Sequence, residues 1–322
     1  MSHEARLRAR ATVAVVCLGA YLTLWDSSRV QGQVKTAGSS ELQQAVTRAM
    51  SGKRGTAVVI EVATGKILAS YQLDVAARRV ALPGSSIKTF TLLALLESGK
   101  VNQQTTLMCK RPLTIGGQHL DCTHPDVKQP FDPATALAYS CNSYFVRVAT
   151  RLTPAELRNS FLKYGFGSPS GLVPNEATGS VALAGTQAEL QLEAIGEWGV
   201  RVTPLALLRG YQNLVLLSQK RHTMLAPVFA GLEGSVSYGM GHLAQPIEAM
   251  KAAGKTGTSL VEEGSWRHGW FAGYAPAEQP EIALVVFLEK GNGPTDAATV
   301  ALEIFGAYAV GREQGVVHGA GH

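Results

Sequence analysis

The chain has 322 residues, of which 46% are hydrophobic and 16% are charged, a composition typical of a globular protein and unlike that of a disordered one. Its formal net charge of +5 is small, and the absence of a run of Lys and Arg with interleaved aromatic residues argues against nucleic-acid binding. A chain of this length can bury one large core or two small ones.

An uncharged apolar run lies close to the N-terminus. Three arginines between residues 6 and 10 precede this run, which extends from Ala11 to Trp25. As a helix it would be about 22 Å long, shorter than the roughly 30 Å hydrocarbon core of a bilayer. Because no Ala-x-Ala site follows, we interpret residues 1–26 as an uncleaved signal anchor; a signal peptide and a buried soluble helix are the alternatives. The arginines predict a cytoplasmic N-terminus and an extracytoplasmic remainder.

The next segments predict a linker, a helix, a hairpin and a buried helix. Residues 27–54 indicate a polar linker followed by a short helix ending near Met50. Two apolar runs between residues 57 and 71 flank a turn and predict a β-hairpin. The Pro83-Gly84 turn leads into a helix that is apolar on most faces and therefore buried, and that ends at Gly99.

The remainder of the chain predicts helices in the middle and strands towards the end. The pattern after Pro227 predicts strands and then one last helix over residues 296–308. In the middle of the chain we expect a hairpin over 105–122 that turns at Gly116-Gly117. Helices are expected to begin at Asp132, after Ser140 and at Thr153. A loop is expected over 165–179, followed by a helical stretch over 190–217 that is broken at Thr203-Pro204. We therefore predict an α+β fold, in which both chain ends form one antiparallel sheet packed on helices, with a helical lobe. Residues 55–310 form this domain and residues 311–322 a flexible tail.

A serine and a lysine lie three residues apart where the buried helix begins. Ser85 and Lys88 would share one face of that helix, so the amine can lie one turn below the hydroxyl. A serine hydroxyl is a poor nucleophile until a neighbouring base takes its proton. Lysine can act as this base when burial or nearby cations lower its pKa. The pair alone is a weak signal, because such spacing arises easily by chance.

Two further stretches make the pair significant. Ser140-Cys141-Asn142 places a hydroxyl and a carboxamide at a junction between helices, and Lys255-Thr256-Gly257 precedes a strand-like segment at Trp270–Pro276. Ser-x-x-Lys, a Ser-x-Asn element and Lys-Thr-Gly, in this order, form the signature of penicillin-binding proteins and serine β-lactamases. The chain resembles the transpeptidase domain of penicillin-binding proteins over roughly residues 55–308. The hairpin at 57–71 and the segment Gly196–Pro204 are similar to the hairpin before the nucleophile and to a helical stretch of that family.

The resemblance implies a β-lactamase/transpeptidase-like fold and roles for the motif residues. Ser85 attacks the penultimate D-Ala carbonyl of a peptidoglycan stem peptide, and Lys88 takes its proton. Ser140 passes a proton to the leaving amine, and Asn142 orients the substrate amide or Lys88. Lys255 adds positive charge. Three residues of the strand bind substrate: Thr256 and Thr258 hold its carboxylate, and Gly257 permits close backbone approach. The backbone N–H groups of Ser85 and Thr258 would form an oxyanion hole.

Three cysteines and one histidine suggest a second site. Cys109 and Cys122 flank the predicted Gly116-Gly117 turn, so a cross-hairpin disulfide is one interpretation. The alternative is a tetrahedral zinc site formed by Cys109, Cys122, His124 and Cys141, since elongation-class penicillin-binding proteins resemble this pattern. In that case zinc is structural, and the chemistry at Ser85 needs no cofactor.

The resemblance implies a D,D-transpeptidase that acts on peptidoglycan stem peptides and is inhibited covalently by β-lactams. It also implies a single-pass protein of the bacterial cytoplasmic membrane with an extracytoplasmic catalytic domain. The alternatives are a D,D-carboxypeptidase, a class D-like β-lactamase, and a β-lactam sensor or non-catalytic scaffold. Class D enzymes normally have valine in place of Asn142. About thirty residues separate the apolar run from the domain, without a glycosyltransferase domain or pedestal. This short spacer predicts a glycan-polymerising partner protein.

Overall fold

The computed structural model describes residues 40–218, 222–246, 250–260 and 266–319. The predicted anchor at 1–26 and the linker before residue 40 lie outside these ranges. Among the described helices, none combines the length and apolar character needed to cross a bilayer.

One antiparallel sheet is built from both ends of the described chain. Its strands are β1 Gly55–Glu61, β2 Ile67–Tyr71, β7 Ala253–Leu260, β8 Arg267–Ala275 and β9 Ile282–Leu288. Their order is β2-β1-β9-β8-β7, so the first hairpin pairs with the last strand. Two small hairpins lie elsewhere: β3 Thr114–Ile115 with β4 Gln118–His119, and β5 Ser180–Val181 with β6 Val200–Arg201.

Both faces of the sheet are buried. Along β9, alternate residues belong to two separate apolar cores: Val285 and Phe287 face one, and Leu284 and Val286 the other. This follows from the two-residue period of a strand. The first core contains the central helices, and the second contains the first and last helices. The predicted α+β fold, with a sheet from both chain ends, is confirmed.

Helices fill the middle of the chain and form the predicted lobe. The described helices are α1 over residues 40–49, α2 Leu73–Arg78, α3 Lys88–Glu97, α4 Pro133–Ala138, α5 Asn142–Ala149, α6 Pro154–Lys163, α7 Gln187–Ala194, α8 Pro204–Ser218, α9 His222–Ser237 and α10 Ala298–Gly319, of which α1 and α10 lie at the two ends of the described chain. The nine residues of α3 before Glu97 are all buried, and Phe90 makes edge-on contacts with Phe166 and Tyr211. Gly99, at φ +67°, follows the end of α3 as predicted. The helix that carries Lys88 is thus central in the first core.

The predicted strands and last helix do follow Pro227, but the prediction that the helical part of the chain ends there is wrong, because Pro227 lies inside α9. Proline removes a backbone donor from a helix, but Leu225, Val228 and Leu232 are fully buried and hold this helix against α3 and α4. A Cβ on Gly231 would lie 2.8 Å from Leu137 Cβ, so this glycine permits a close helix crossing. Tertiary burial therefore outweighs the local signals of proline and glycine.

Two boundaries also differ from the sequence prediction. The segment Gly196–Pro204 is a turn followed by β6, and only its last residue begins a helix. Gly196 and Gly199 have φ of +79° and +76°, which an α-helix cannot continue through. At the end of the chain, a wide turn at Gly293–Ala297 leads into α10, which continues beyond the predicted residue 308 into the segment predicted as a tail.

Candidate active site

Ser85 lies in a tight helical turn, Gly84–Ile87, immediately before α3. Its side chain is half-buried and lines a pocket of about 470 Å³ together with Ser140, Asn142 and Thr258. The next residue, Ser86, is fully buried, and its hydroxyl donates to the Pro83 carbonyl over 2.8 Å. The turn therefore presents one serine to the pocket and uses the other to hold its own backbone.

Lys88 joins the first two predicted motifs. Its Nζ donates to the Ser140 carbonyl over 2.8 Å and to the Ser140 hydroxyl over 3.2 Å, and it also contacts Asn142 Oδ1. The side chain is fully buried. Burial lowers the pKa of Lys88 to about 8, against the opposing effects of Cys122, Cys141 and Glu197. A lysine in this environment has a neutral fraction at neutral pH, as a general base requires.

The turn that carries Ser140 is unusual in its backbone. Ser140 has φ of +55°, a conformation that few non-glycine residues adopt. The adjacent Cys141 caps α5 by accepting from the Tyr144 backbone N–H, and Asn142 Nδ2 donates to the Leu120 carbonyl over 2.9 Å. The bond from Nδ2 orients the carboxamide so that its oxygen faces Lys88.

The third motif lies on β7, at the edge of the sheet. Thr256, Gly257 and Thr258 line the pocket, whereas Lys255 is fully buried and donates to the Thr256 carbonyl over 3.1 Å. Burial, together with the nearby charge of Lys88, holds the pKa of Lys255 well below its usual value. Lys255 thus lies behind the pocket wall, and the two lysines share one buried region.

Glycines allow the three motifs to approach closely. The Gly84 backbone N–H donates to the Gly196 carbonyl over 3.2 Å, and a Cβ on Gly196 would lie 2.2 Å from the Gly84 carbonyl oxygen. A Cβ on Gly257 would lie 2.4 Å from the Pro83 carbonyl oxygen. The sequence predicts that Gly257 makes room for substrate; in the structure it makes room for the turn that carries Ser85.

The four predicted metal ligands lie together directly beside the Ser140 turn. The Sγ atoms of Cys109 and Cys122 are 3.6 Å apart, those of Cys122 and Cys141 are 3.7 Å apart, and Cys109 Sγ is 3.7 Å from His124 Nε2. All four ligand atoms lie within 4.8 Å of one another. The three thiols are free, so no disulfide joins Cys109 to Cys122. The four residues are close enough to hold a metal ion.

Three charged residues that line the pocket, Asp121, Glu197 and Arg267, are not among the predicted site residues. Glu197 lies directly after Gly196, and Arg267 is the first residue of β8. Neither Glu197 nor Arg267 belongs to a motif. The sequence signal for Glu197 is its position as an acidic residue in the Gly196–Gly199 segment, between two glycines. The fold brings both to Ser85.

Curated relatives are similar to this chain in sequence. The chain is 26% identical to stage V sporulation protein D of Bacillus subtilis in an alignment 263 residues long that covers 70% of this chain and 41% of that protein. It is 23% identical to the peptidoglycan D,D-transpeptidase MrdA of Acinetobacter baumannii in an alignment 371 residues long that covers 87% of this chain and 54% of the relative. The chain therefore spans about half the length of these relatives.

Solved structures show the same fold. The D,D-transpeptidase domain of a peptidoglycan glycosyltransferase from Eggerthella lenta superposes with a TM-score of 0.74 at 22% identity, covering 86% of this chain and 82% of that one. The penicillin-binding protein PBP2 of Helicobacter pylori, solved in complex with MreC, gives 0.74 at 19% identity, covering 84% and 63%. The family model described as "Penicillin binding protein transpeptidase domain" matches residues 55–308. The chain belongs to the penicillin-binding protein transpeptidase family.

Proposed function

We propose that the chain is a serine D,D-transpeptidase that cross-links peptidoglycan stem peptides through an acyl-enzyme on Ser85. The proposal rests on one arrangement: Ser85, Ser140 and Asn142 line the same pocket, and buried Lys88 is hydrogen-bonded to Ser140 and Asn142. The relatives named peptidoglycan D,D-transpeptidases support the same reaction. Labelling of Ser85 by a penicillin tests it.

The reaction proceeds in two halves. Ser85 Oγ attacks the penultimate D-Ala carbonyl while Lys88 takes its proton, and backbone N–H groups at Ser85 and Thr258 stabilise the oxyanion. The Ser140 hydroxyl, 3.2 Å from Lys88 Nζ, passes a proton to the departing amine, which leaves as D-Ala. An amine of a second stem peptide then displaces Ser85. If water attacked instead, the chain would be a D,D-carboxypeptidase.

The strand β7 holds the donor peptide in this proposal. The hydroxyl of Thr258 accepts from the Gly293 backbone N–H over 3.0 Å, so its own proton points to another acceptor. We assign that acceptor to the substrate carboxylate, shared with Thr256; the negative charge of this carboxylate favours the protonated form of buried Lys255. Because Gly257 has no side chain, β7 can contact the turn that carries Ser85.

We also propose that Cys109, Cys122, His124 and Cys141 hold a structural zinc ion. In a tetrahedral site with Zn–S bonds of about 2.3 Å, neighbouring sulfurs lie about 3.8 Å apart, close to the separations found here. Hydrogen bonds from Cys141 and His124 lower the pKa of Cys122 to about 3, so a thiolate is available. The metal supplies no step of the reaction; it would tie the 109–124 loop to the turn between Ser140 and Asn142.

Elemental analysis tests the metal site. Purified protein is expected to contain about one zinc ion per chain, and Cys141→Ser is expected to lower this content and the melting temperature because a structural zinc stabilises the folded state. Cys17→Ser, which changes a cysteine outside the four ligands, is the control. Protein that contains no zinc and has Cys109 linked to Cys122 by mass spectrometry would contradict the proposal.

A further proposal concerns a partner. We propose that a glycan-polymerising protein acts with this chain at the extracytoplasmic side of the membrane, since the predicted spacer between anchor and domain is short. The penicillin-binding protein PBP2 of Helicobacter pylori, which has the same fold, was solved with another protein, MreC, and this supports the proposal that the present chain also has a partner. On preformed glycan strands the purified chain alone is expected to cross-link poorly. Full cross-linking without a partner would contradict this need.

A further inference from the structure

The backbone holds Glu197 next to the turn of the nucleophile. The preceding residue, Gly196, accepts a hydrogen bond from the Gly84 backbone N–H, and Gly84 directly precedes Ser85. The Gly196–Gly84 contact is too close for any side chain at position 196. Glu197 is half-buried and lines the same pocket as Ser85, Asn142 and Thr258. Glu197 therefore lines the pocket in which an acyl group on Ser85 would lie.

The electrostatic environment makes this carboxyl an unusual base. Burial raises the pKa of Glu197 to about 6, while the charges of Lys88 and Arg267 and the Leu260 backbone N–H act in the opposite direction. The group is thus largely ionised at neutral pH, yet accepts a proton more readily than an ordinary glutamate. Arg267 lines the pocket with it.

Once Lys88 is protonated, it cannot take a second proton. A protonated lysine has three N–H donors. Lys88 Nζ already has three acceptors, the carbonyl and hydroxyl of Ser140 and Oδ1 of Asn142. In the first half of the reaction the Ser85 proton passes through Lys88 to the departing amine, so Lys88 returns to the neutral state and can carry one proton again.

An amine and water differ in when their protons must leave during the second half. Water attacks through a free lone pair and gives one proton to the Ser85 oxygen; its other proton stays on the carboxylic acid product and passes to solvent only after the ester bond has broken. An amine acceptor reaches the pocket as –NH3⁺ and ends as an amide N–H, so it must lose two protons. One proton returns to the Ser85 oxygen as the ester C–O bond breaks and the C–N bond forms. The other needs a second base.

We propose that Glu197 is this second base: it binds the ammonium group of the acceptor strand and takes its surplus proton, so that the free amine can attack the Ser85 ester. This inference rests on the proposed function. The carboxylic acid then loses its proton to solvent through the pocket. Glu197 accordingly favours cross-linking over hydrolysis, and the acceptor is a primary amine that is protonated at neutral pH.

The test measures the partition of the acyl-enzyme between aminolysis and hydrolysis. The purified 322-residue chain and its Glu197→Gln variant are given a synthetic D-alanyl thioester donor at neutral pH with D-alanine as acceptor. The ratio of aminolysis to hydrolysis products is then determined by mass spectrometry. This ratio is independent of the acylation rate. The variant is expected to lower it by about 100-fold, the lower end of the range for general-base catalysis.

A second acceptor separates proton transfer from mere packing. Hydroxylamine is largely unprotonated at neutral pH, so its aminolysis ratio is expected to be equal in both proteins. The D-alanine ratio of Glu197→Gln is expected to recover as the pH rises and free amine accumulates in solution. Glu193→Gln is the matched control, because Glu193 is a fully buried carboxyl one turn earlier, outside the pocket lining. It is expected to leave the D-alanine ratio unchanged.

Three outcomes would overturn the inference. An unchanged D-alanine ratio in Glu197→Gln means that no second base acts there. An equal loss with hydroxylamine means that Glu197 only shapes the pocket. A chain that forms no acyl-enzyme on Ser85 refutes the proposed function and the inference with it. A chain that forms the acyl-enzyme, but gives the same product ratio as its Glu197→Gln variant, refutes the inference alone.

Discussion

Ser85→Ala is expected to abolish covalent labelling by a fluorescent penicillin while the protein stays folded. The variant lacks the nucleophilic oxygen, and loss of the nucleophile costs on the order of 10⁶-fold in a comparable serine enzyme. The residue is half-buried at a turn, so the change in the free energy of unfolding is at most that of one hydrogen bond, about 1 kcal/mol. Gel fluorescence gives the labelling, and chemical denaturation gives the stability.

The neighbouring serine supplies the control. Ser86→Ala removes a buried hydroxyl that donates to the Pro83 carbonyl, and is expected to cost about 1 kcal/mol while labelling persists. If Ser85→Ala were still labelled at the wild-type level, the assignment of the nucleophile would be wrong.

Gly196→Ala is expected to destabilise the protein by about 3 kcal/mol and to slow acylation. The residue has φ of +79°, where a side chain costs about 1–2 kcal/mol, and its Cβ would meet the Gly84 carbonyl oxygen at 2.2 Å, which adds overpacking strain of about 1–3 kcal/mol. Because the atom in the way belongs to the backbone beside Ser85, relief of the strain must move the nucleophile. Urea denaturation and penicillin acylation kinetics measure the two effects.

Gly99 separates the effect of crowding from that of backbone conformation. It has a similar φ of +67°, but a Cβ there would meet no atom within 4 Å. Gly99→Ala is expected to cost only the conformational term of about 1–2 kcal/mol and to leave acylation unchanged. Equal losses for the two variants would show that the Gly196–Gly84 contact does not support the site.

The chemistry-bearing motifs and the overall fold could be predicted from the sequence because they depend on local patterns. The buried α3 helix follows from its continuous apolar residues, and its end follows from Gly99. The sheet from both chain ends follows from strand-like runs at 57–71 and after residue 253. The proximity of Cys109, Cys122, His124 and Cys141 was one of two interpretations and rested on the family resemblance; the structure places these residues together.

What could not be predicted depends on tertiary contacts. Pro227 and Gly231 signal a break in any local interpretation, yet α9 persists because its apolar face packs on α3 and α4. Glu197 belongs to no motif and enters the pocket only because the Gly196 backbone fits against Gly84. The depth of Lys255, behind the pocket wall rather than on it, also depends on how the strand packs.

The most direct test of the proposed acyl-enzyme is peptide mapping of the purified chain after brief exposure to a labelled penicillin. We expect one adduct, carried by the peptide that contains Ser85, at close to full occupancy and lasting for many minutes. Rapid loss of the adduct with accumulation of hydrolysed penicillin would indicate a β-lactamase, and an adduct on another residue, or none, would contradict the acyl-enzyme on Ser85.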